Sequence, residues 1–379
     1  MKNVTAVCRY TYILLFVLLS NNTQAQVCSD VNATTETKAL YKKLYTLSKQ
    51  QIIFGHQDAL AYGVGWKYVP GKSDIKSMVK DNPGIYGWDI AHIELDSLKN
   101  IDGVPFNKMQ QYIKDGYKRG AAITISWHLR NPLSGGSAWD TTAGAVASVL
   151  PGGIKHEMYK GWLDKVAVFM NRLKGSNGEM IPVLFRPFHE LTGNWFWWCK
   201  NVSSPEDIKK LWQFTISYLQ KEKNIHHLIY VYNTAEFDNE VSFLERYPGD
   251  DMVDLVSFDM YQFGEKKEQR EKFMVKIKNQ LTILTKIAVQ KNKVAALAET
   301  GFEAIPDRTW WTETLWPVIK DFPLSYVLVW RNHGWMPSTK KMHYYAPYPG
   351  QVSEKDFKVF YSNPKIIFEK KLGKQKIYQ

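Results

Sequence analysis

The sequence predicts one large α/β domain built as a (β/α)8 barrel, and three observations carry that expectation. Short runs rich in β-branched and aromatic residues recur eight times, segments with helical period lie between them, and the spacing of the runs is regular. From Ile52 to Trp330 there are 279 residues, or about 35 for each of eight strand-helix units, near the roughly 250 residues typical of this barrel.

The predicted strands are Ile52 to Phe54, Ile85 to Ile90, Ala122 to Trp127, Pro182 to Phe188, Leu228 to Tyr232, Leu255 to Met260, Val294 to Ala298 and Tyr326 to Trp330. Runs such as Ile181 to Phe185 are apolar at successive positions, as parallel strands covered on both faces should be. Helical period groups Phe106, Met109, Ile113 and Tyr117 on one face, then Leu163, Val166, Met170 and Leu173, then Phe273, Ile277, Leu281, Leu284 and Ala288. A doubly wound open sheet would instead place a glycine-rich, phosphate-holding turn after its first strand. Gly63-Val64-Gly65 is too sparse for that, and no G-x-x-x-x-G-K-[ST] run exists.

Ahead of the barrel, Lys2 and Arg9 precede an apolar run from Tyr10 to Leu19, followed by polar residues and Thr23-Gln24-Ala25. This reads as a signal peptide over residues 1–25, so the chain is expected to be exported to the periplasm or the exterior. Ten apolar residues fall short of the roughly 20 that span a bilayer. Residues 26–50 then lead into the barrel domain at 51–379, with no Pro/Gly/Ser-rich linker dividing it. Cys28 invites a lipoprotein reading, but Gln26-Val27 before it match such a processing site poorly. An oxidising compartment leaves two states open for Cys28 and Cys199, a disulfide or two thiols.

Hydrophobic residues make up 45% and charged residues 23%, which excludes a disordered or collagen-like chain. The formal net charge of +12 raises nucleic acid or a membrane surface as partners. The lysines are scattered over helical segments, however, and the densest run, Lys365 to Lys376, is broken by Ile366, Ile367, Phe368 and Glu369. A solvated surface on a monomer explains them better. The aromatic load is harder to explain by packing alone: 14 Trp, 21 Tyr and 18 Phe suit a protein that grips flat, polyhydroxylated ligands.

In such barrels the C-terminal strand ends carry the active site. The polar residues following each run here include His56, Asp89, His128, Arg186, His189, Glu190, Asn233, Asp259, Tyr261, Glu299, Arg331 and Asn332. Glu190 follows the fourth strand and Glu299 the seventh, 109 residues later, so barrel closure would bring them face to face. One glutamate at a strand end is more often a salt-bridge partner or a helix cap. Two converging among His, Trp and Tyr are what glycosidic cleavage requires, one protonated to release the leaving oxygen and one ionised to attack or to activate water.

Other chemistries are less well supported. The HExxH zinc pattern fails because Gly193 follows His189-Glu190 at its last position and Lys160 follows His156-Glu157. Adjacent residues on a strand face opposite sides, which makes His189 and Glu190 awkward ligands for one ion. No metal or other cofactor is expected, and no G-x-S-x-G elbow suggests a serine hydrolase. Four consecutive rings, Trp195 to Trp198, cannot all enter one core, so at least one should face the cleft. Trp330 is a second candidate sugar platform. Asp259 and Tyr261 share a face of their strand and are both expected to bind substrate, and the tyrosine hydroxyl there can hydrogen-bond the nucleophilic carboxylate.

At these residues the sequence resembles glycoside hydrolase family 26, whose best-known members are endo-β-1,4-mannanases. The motifs are Phe54-Gly55-His56-Gln57, Trp127-His128, Arg186-Pro187-Phe188-His189-Glu190 with Gly193-Asn194-Trp195-Phe196-Trp197-Trp198, Asp259-Met260-Tyr261, Ala298-Glu299-Thr300-Gly301 and Trp330-Arg331-Asn332. The similarity spans roughly residues 50 to 345. It implies that Glu190 is the general acid/base and Glu299 the nucleophile of a retaining double displacement on β-mannan. By the same resemblance His128, His189, Trp195, Tyr261 and Trp330 line the subsite of the attacked sugar, and Arg331 reaches the next ring on the non-reducing side. Cys199 departs from the family pattern, standing where many relatives have Gly. Action on β-1,3-xylan or mixed-linkage β-glucan, and a non-catalytic carbohydrate-binding barrel, remain the alternatives, and endo and exo cleavage are both open.

Overall fold

The computed structural model describes residues 27–379, so the expected signal peptide lies outside the described residues. Eight parallel strands close into a barrel: β1 (Ile52–Gln57), β2 (Ile85–Asp89), β3 (Ala122–Ser126), β4 (Val183–Arg186), β5 (Leu228–Thr234), β6 (Leu255–Gln262), β7 (Val294–Phe302) and β8 (Leu324–Val329). Each pairs with the next, and β1 pairs with β8 through Phe54 opposite Val327, which closes the sheet. All eight predicted runs become strands. Four of them, β1, β5, β6 and β7, extend past the predicted end; the other four stop short, β4 furthest, at Arg186, two residues before Phe188.

The helices follow the predicted faces. On α2 (Phe106–Arg119), Met109 and Ile113 are buried, and Gly120 ends the helix in the left-handed conformation at φ +87°. On α3 (His156–Asn171), Leu163, Val166 and Met170 are buried; Leu173 lies just beyond the helix end and is buried as well. The 24-residue α5 (Lys267–Gln290) buries Phe273, Ile277, Leu281, Leu284 and Ala288, the whole predicted stripe. Between α3 and α5, Ser204 caps α4 (Pro205–Ser217) by accepting from the Asp207 N–H.

Inside the barrel the period of two sorts side chains into layers. Its lower part holds Ile53, Ile85, Ala122, Leu184, Ile229, Leu255, Val294 and Tyr326. The floor below them is plugged by α1 (Thr35–Ser48), whose Leu40, Tyr41 and Leu44 are fully buried. Full burial of a leucine stabilises by about 1.5–3 kcal/mol. The Tyr41 hydroxyl donates to the Asp254 carbonyl at 2.8 Å and the Ser29 N–H to the Asp254 carboxylate at 2.6 Å, tying the N-terminal stretch to the floor.

Cys28 packs in this floor cluster, whereas Cys199 packs in the core outside the barrel wall near the mouth; both are free thiols, so the disulfide does not form. The basic tail is anchored rather than loose at Glu369. Its buried carboxylate accepts from Asn82 at 2.8 Å, Tyr86 at 2.6 Å and Arg119 at 2.8 Å. Among the described residues no helix is long and apolar enough to cross a membrane.

Candidate active site

Above the apolar layers the same strands turn polar. Two residues beyond Leu184 on β4 stands Arg186; two beyond Val231 on β5 stands Asn233; two beyond Ser257 on β6 stands Asp259. All three are buried. On β7 simple alternation is interrupted: Phe258 pairs with Leu297 but Asp259 with Glu299, so Ala298 is an extra residue, and β8 shifts register at the same place. A bulge of this kind re-aims one side chain. Here it sets Glu299 beside Asp259 at the top of the barrel.

Two groups meet the Glu299 carboxylate. Tyr261 donates its hydroxyl at 2.7 Å, and one nitrogen of the Arg186 guanidinium donates to the other carboxylate oxygen. The second Arg186 nitrogen donates to Asp259 at 2.6 Å. Burial lowers the Arg186 pKa, but its two carboxylate neighbours outweigh that and raise the net value. The fixed cation and the hydroxyl hold the Glu299 carboxylate in one orientation. Further on, Gly301 adopts φ +150°, and a Cβ there would sit 2.4 Å from the Tyr345 ring, so only glycine lets that ring lie against the strand end.

Glu190 is placed by a turn rather than by a strand. Because β4 ends at Arg186, His189 and Glu190 do not alternate across a sheet, and the strand argument against their sharing an ion does not apply. Glu190 has φ +57°, a left-handed conformation for a residue with a side chain. The surroundings hold it there. Its N–H donates to the Asn233 side chain at 2.8 Å, its carbonyl accepts from the Gly193 N–H at 2.8 Å and from the Cys199 thiol at 3.3 Å, and Trp198 donates to the His189 carbonyl at 2.7 Å. The departure at Cys199 is thereby accommodated as a buried hydrogen-bonded thiol.

The Trp195 indole donates to the Glu190 carboxylate at 2.5 Å. Burial pushes the Glu190 pKa up to about 7 and the negative Glu299 adds to the rise, against the lowering effect of the Trp195 bond. Glu190, Asp259 and Glu299 present oxygens all within 4.8 Å of one another. Three acids at that spacing can hold a cation, but Arg186 already fills that role between Asp259 and Glu299.

A second buried chain lies across the mouth. Asp89 bonds His128 Nδ1 at 2.7 Å, and His128 Nε2 lies 3.0 Å from His189 Nε2. Burial would lower the His128 pKa, but Asp89 outweighs it and raises the net value; His189 is pushed well below the usual range by burial and by its cationic neighbours. The two shifts run in opposite directions and favour a proton on His128 over one on His189.

Of the four rings in the loop, Phe196, Trp197 and Trp198 are buried and Trp195 is 38% exposed, so one ring faces the cleft. Trp330, just past β8, stands edge-on to His128 with centroids 6.3 Å apart. Beside it the Arg331 guanidinium pairs with Asp102, and Asn332 anchors the loop by accepting from the Tyr345 and Ala346 N–H groups.

One expected substrate contact is corrected. The Asp259 side chain is fully buried, with one oxygen on Arg186 and the other on Asn233 at 2.8 Å, so it orients its neighbours instead of facing a sugar. Arg186, Asn233 and Asp89 ended predicted strands without being given a role. Trp139 gave no signal at all: it sits in the loop after β3, stacks on His128 with centroids 5.2 Å apart, and is half exposed.

The groove beside Glu190 is a cavity of about 500 Å³ bounded by Glu190, Trp195, Tyr261 and Phe263. A larger depression, about 690 Å³, lies on the outer wall between α2 and α3, but its Asp96 and Asp164 are paired with Lys165 and Lys223. It gathers no free carboxyl pair.

Comparison with known proteins agrees with this geometry. Residues 29–310 match the family described as glycosyl hydrolase family 26. The chain belongs to that family. It is 30% identical over 360 residues to a mannan endo-1,4-beta-mannosidase of Bifidobacterium adolescentis, covering 90% of this chain and 35% of that protein. A mannan endo-1,4-beta-mannosidase of Bacillus subtilis is 27% identical, with 70% and 71% covered. The chain thus spans about a third of the Bifidobacterium relative's length. Among solved structures, the family 26 beta-mannanase of Bacteroides ovatus superimposes with a TM-score of 0.84 at 46% identity, covering 88% of this chain and 95% of that one.

Proposed function

We propose that this family 26 barrel hydrolyses β-1,4-mannosidic bonds of mannan, galactomannan or glucomannan with retention of configuration. The observation that carries the reading is the meeting of Glu190 and Glu299, each offering a carboxylate oxygen within 4.8 Å of one on the other. Retaining enzymes hold their two carboxyls about 5 to 5.5 Å apart, inverting ones about 6.5 to 9.5 Å. Glu190, with its pKa near 7, protonates the glycosidic oxygen. Glu299, aligned by Tyr261 and Arg186, attacks the anomeric carbon. Water then enters the leaving sugar's place, Glu190 takes its proton, and the glycosyl ester to Glu299 breaks. The mannanase names of the relatives support β-mannan as substrate.

The decisive experiment replaces Glu299 with Ala and adds azide. Recovery of an α-linked glycosyl azide supports the nucleophile role; activity on mannan equal to that of the wild type refutes it. We also propose that the chain is exported. The support is the apolar run after Lys2 and Arg9, and the burial of Cys28 in the floor argues against lipid attachment there. N-terminal sequencing of the secreted protein, with a start at Gln26 expected, tests this.

A further inference from the structure

We infer that Phe263 is the sugar platform on the leaving-group side of the cleft and that it sets how often the glycosyl-enzyme is intercepted by a sugar instead of water. The inference rests on the hydrolase reading above and extends it to a residue that no motif singled out.

The side of the cleft follows from the chemistry. The attacked ring must lie over Glu299, on the side bounded by His128 and Trp330. The leaving ring must lie on the other side of the oxygen that Glu190 protonates. The 500 Å³ cavity runs from Glu190 and Trp195 to Tyr261 and Phe263 and is not bounded by Glu299, His128 or Trp330. Trp195 and Tyr261, expected beside the attacked ring, border it as well, so the part of the cavity beyond them toward Phe263 is the place of the leaving ring.

Phe263 forms its lip. The ring is 76% exposed and, among the described residues, stacks on no other aromatic side chain. A single exposed phenylalanine needs no explanation by itself. This one borders the same cavity as the partly exposed indole of Trp195, and it is held out by a fixed turn. Gln262 before it is buried, accepts from the Trp310 indole at 2.9 Å and donates to the Gly264 carbonyl at 3.3 Å. Gly264 after it has φ +84°, and a Cβ there would collide with Gln269. The backbone on both sides is pinned while the ring is left bare beside the cleft, the form of a preformed apolar face for a sugar ring. Asn194, Asn201 and Glu236 border the cavity and offer hydrogen bonds to hydroxyls.

Once the first sugar has left, the same platform accepts an incoming one. The acceptor hydroxyl attacks the anomeric carbon, its proton passes to Glu190, and the bond from the anomeric carbon to Glu299 breaks, leaving both carboxyls as they began. Retention of an acceptor ring on Phe263 raises the share of this outcome over hydrolysis.

The test compares wild type, Phe263→Ala and Phe263→Trp on mannotetraose and on β-mannobiosyl fluoride, whose leaving atom carries no ring. Phe263→Ala should lower kcat/KM for mannotetraose about ten-fold, mainly through KM, and cut the yield of longer transfer products. Its activity on the fluoride should stay within about two-fold, and Phe263→Trp should restore both losses. Equal loss on both substrates, or no loss on mannotetraose, overturns the inference. If the wild type cleaves neither substrate, the hydrolase reading itself has failed.

Discussion

The two ends of the barrel are made by the same eight strands and could hardly differ more in chemistry. At the floor, Leu184, Ile229 and Leu255 close against α1 as hydrocarbon; a few residues along, Arg186, Asn233 and Asp259 form a buried polar layer under Glu299. Burying apolar surface is favourable at about 25 cal/mol per Å². Burying an ion costs several kcal/mol before its partners repay it. The floor therefore supplies stability and the mouth consumes part of it, so substitutions at the two ends should separate stability from turnover.

The sharpest separation is expected at Glu190. Glu190→Gln keeps the shape but cannot transfer a proton, so kcat on mannan should fall by about 10³-fold, within the usual range for a general acid. The unfolding midpoint should not drop, because the removed carboxyl is one that its surroundings hold protonated up to about pH 7. A steady-state assay beside urea unfolding checks both halves. A large fall in stability would mean that Glu190 belongs to the scaffold.

Arg186→Met breaks the division from the other side. It strands Asp259 and Glu299 as buried charges, which should cost about 3–5 kcal/mol of stability and abolish turnover together. Leu44→Ala in the plug should cost about 2–5 kcal/mol yet leave kcat within two-fold at a temperature where the variant is folded. If Leu44→Ala lowers kcat as far as it lowers stability, floor and mouth are coupled and the comparison fails. Tyr261→Phe comes next: losing one hydrogen bond to a carboxylate should lower kcat by about 10- to 100-fold, with little change in folding.

How far the sequence reaches also differs between the two ends. The floor is legible because the runs from Ile181 to Phe185 and Leu228 to Tyr232 have the composition of doubly covered strands, and a period of two orders them without further help. At the mouth, residue types were legible and geometry was not. The positions of Glu190 and Glu299 followed from where apolar runs end, but the extra residue at Ala298 that turns Glu299 toward Asp259 leaves no local mark. Nor does the left-handed Glu190, whose conformation depends on Asn233 from another strand. Asp259 was mistaken for a sugar contact because strand period gives a face, while the arginine that takes the carboxylate comes from 73 residues away. Trp139 was missed since it lies in an irregular loop and gains meaning only from His128 beneath it.

The smallest effect expected is the most diagnostic of how the mouth is tuned. Glu190 must carry its proton to act as the acid, so kcat/KM should fall as pH rises through about 7. The Trp195 indole bonds the carboxylate and favours the charged form, holding the pKa lower than burial and Glu299 alone would set it. Trp195→Phe keeps a ring at the cleft but removes that donor. The charged form loses support, the pKa rises, and the alkaline limb of the profile should move to higher pH, by less than about one unit for a single hydrogen bond. A profile measured on mannotetraose over pH 5 to 9 checks the direction. Movement of the limb to lower pH would show that Trp195 acts on Glu190 chiefly by excluding water, since exposing the carboxyl to solvent lowers its pKa.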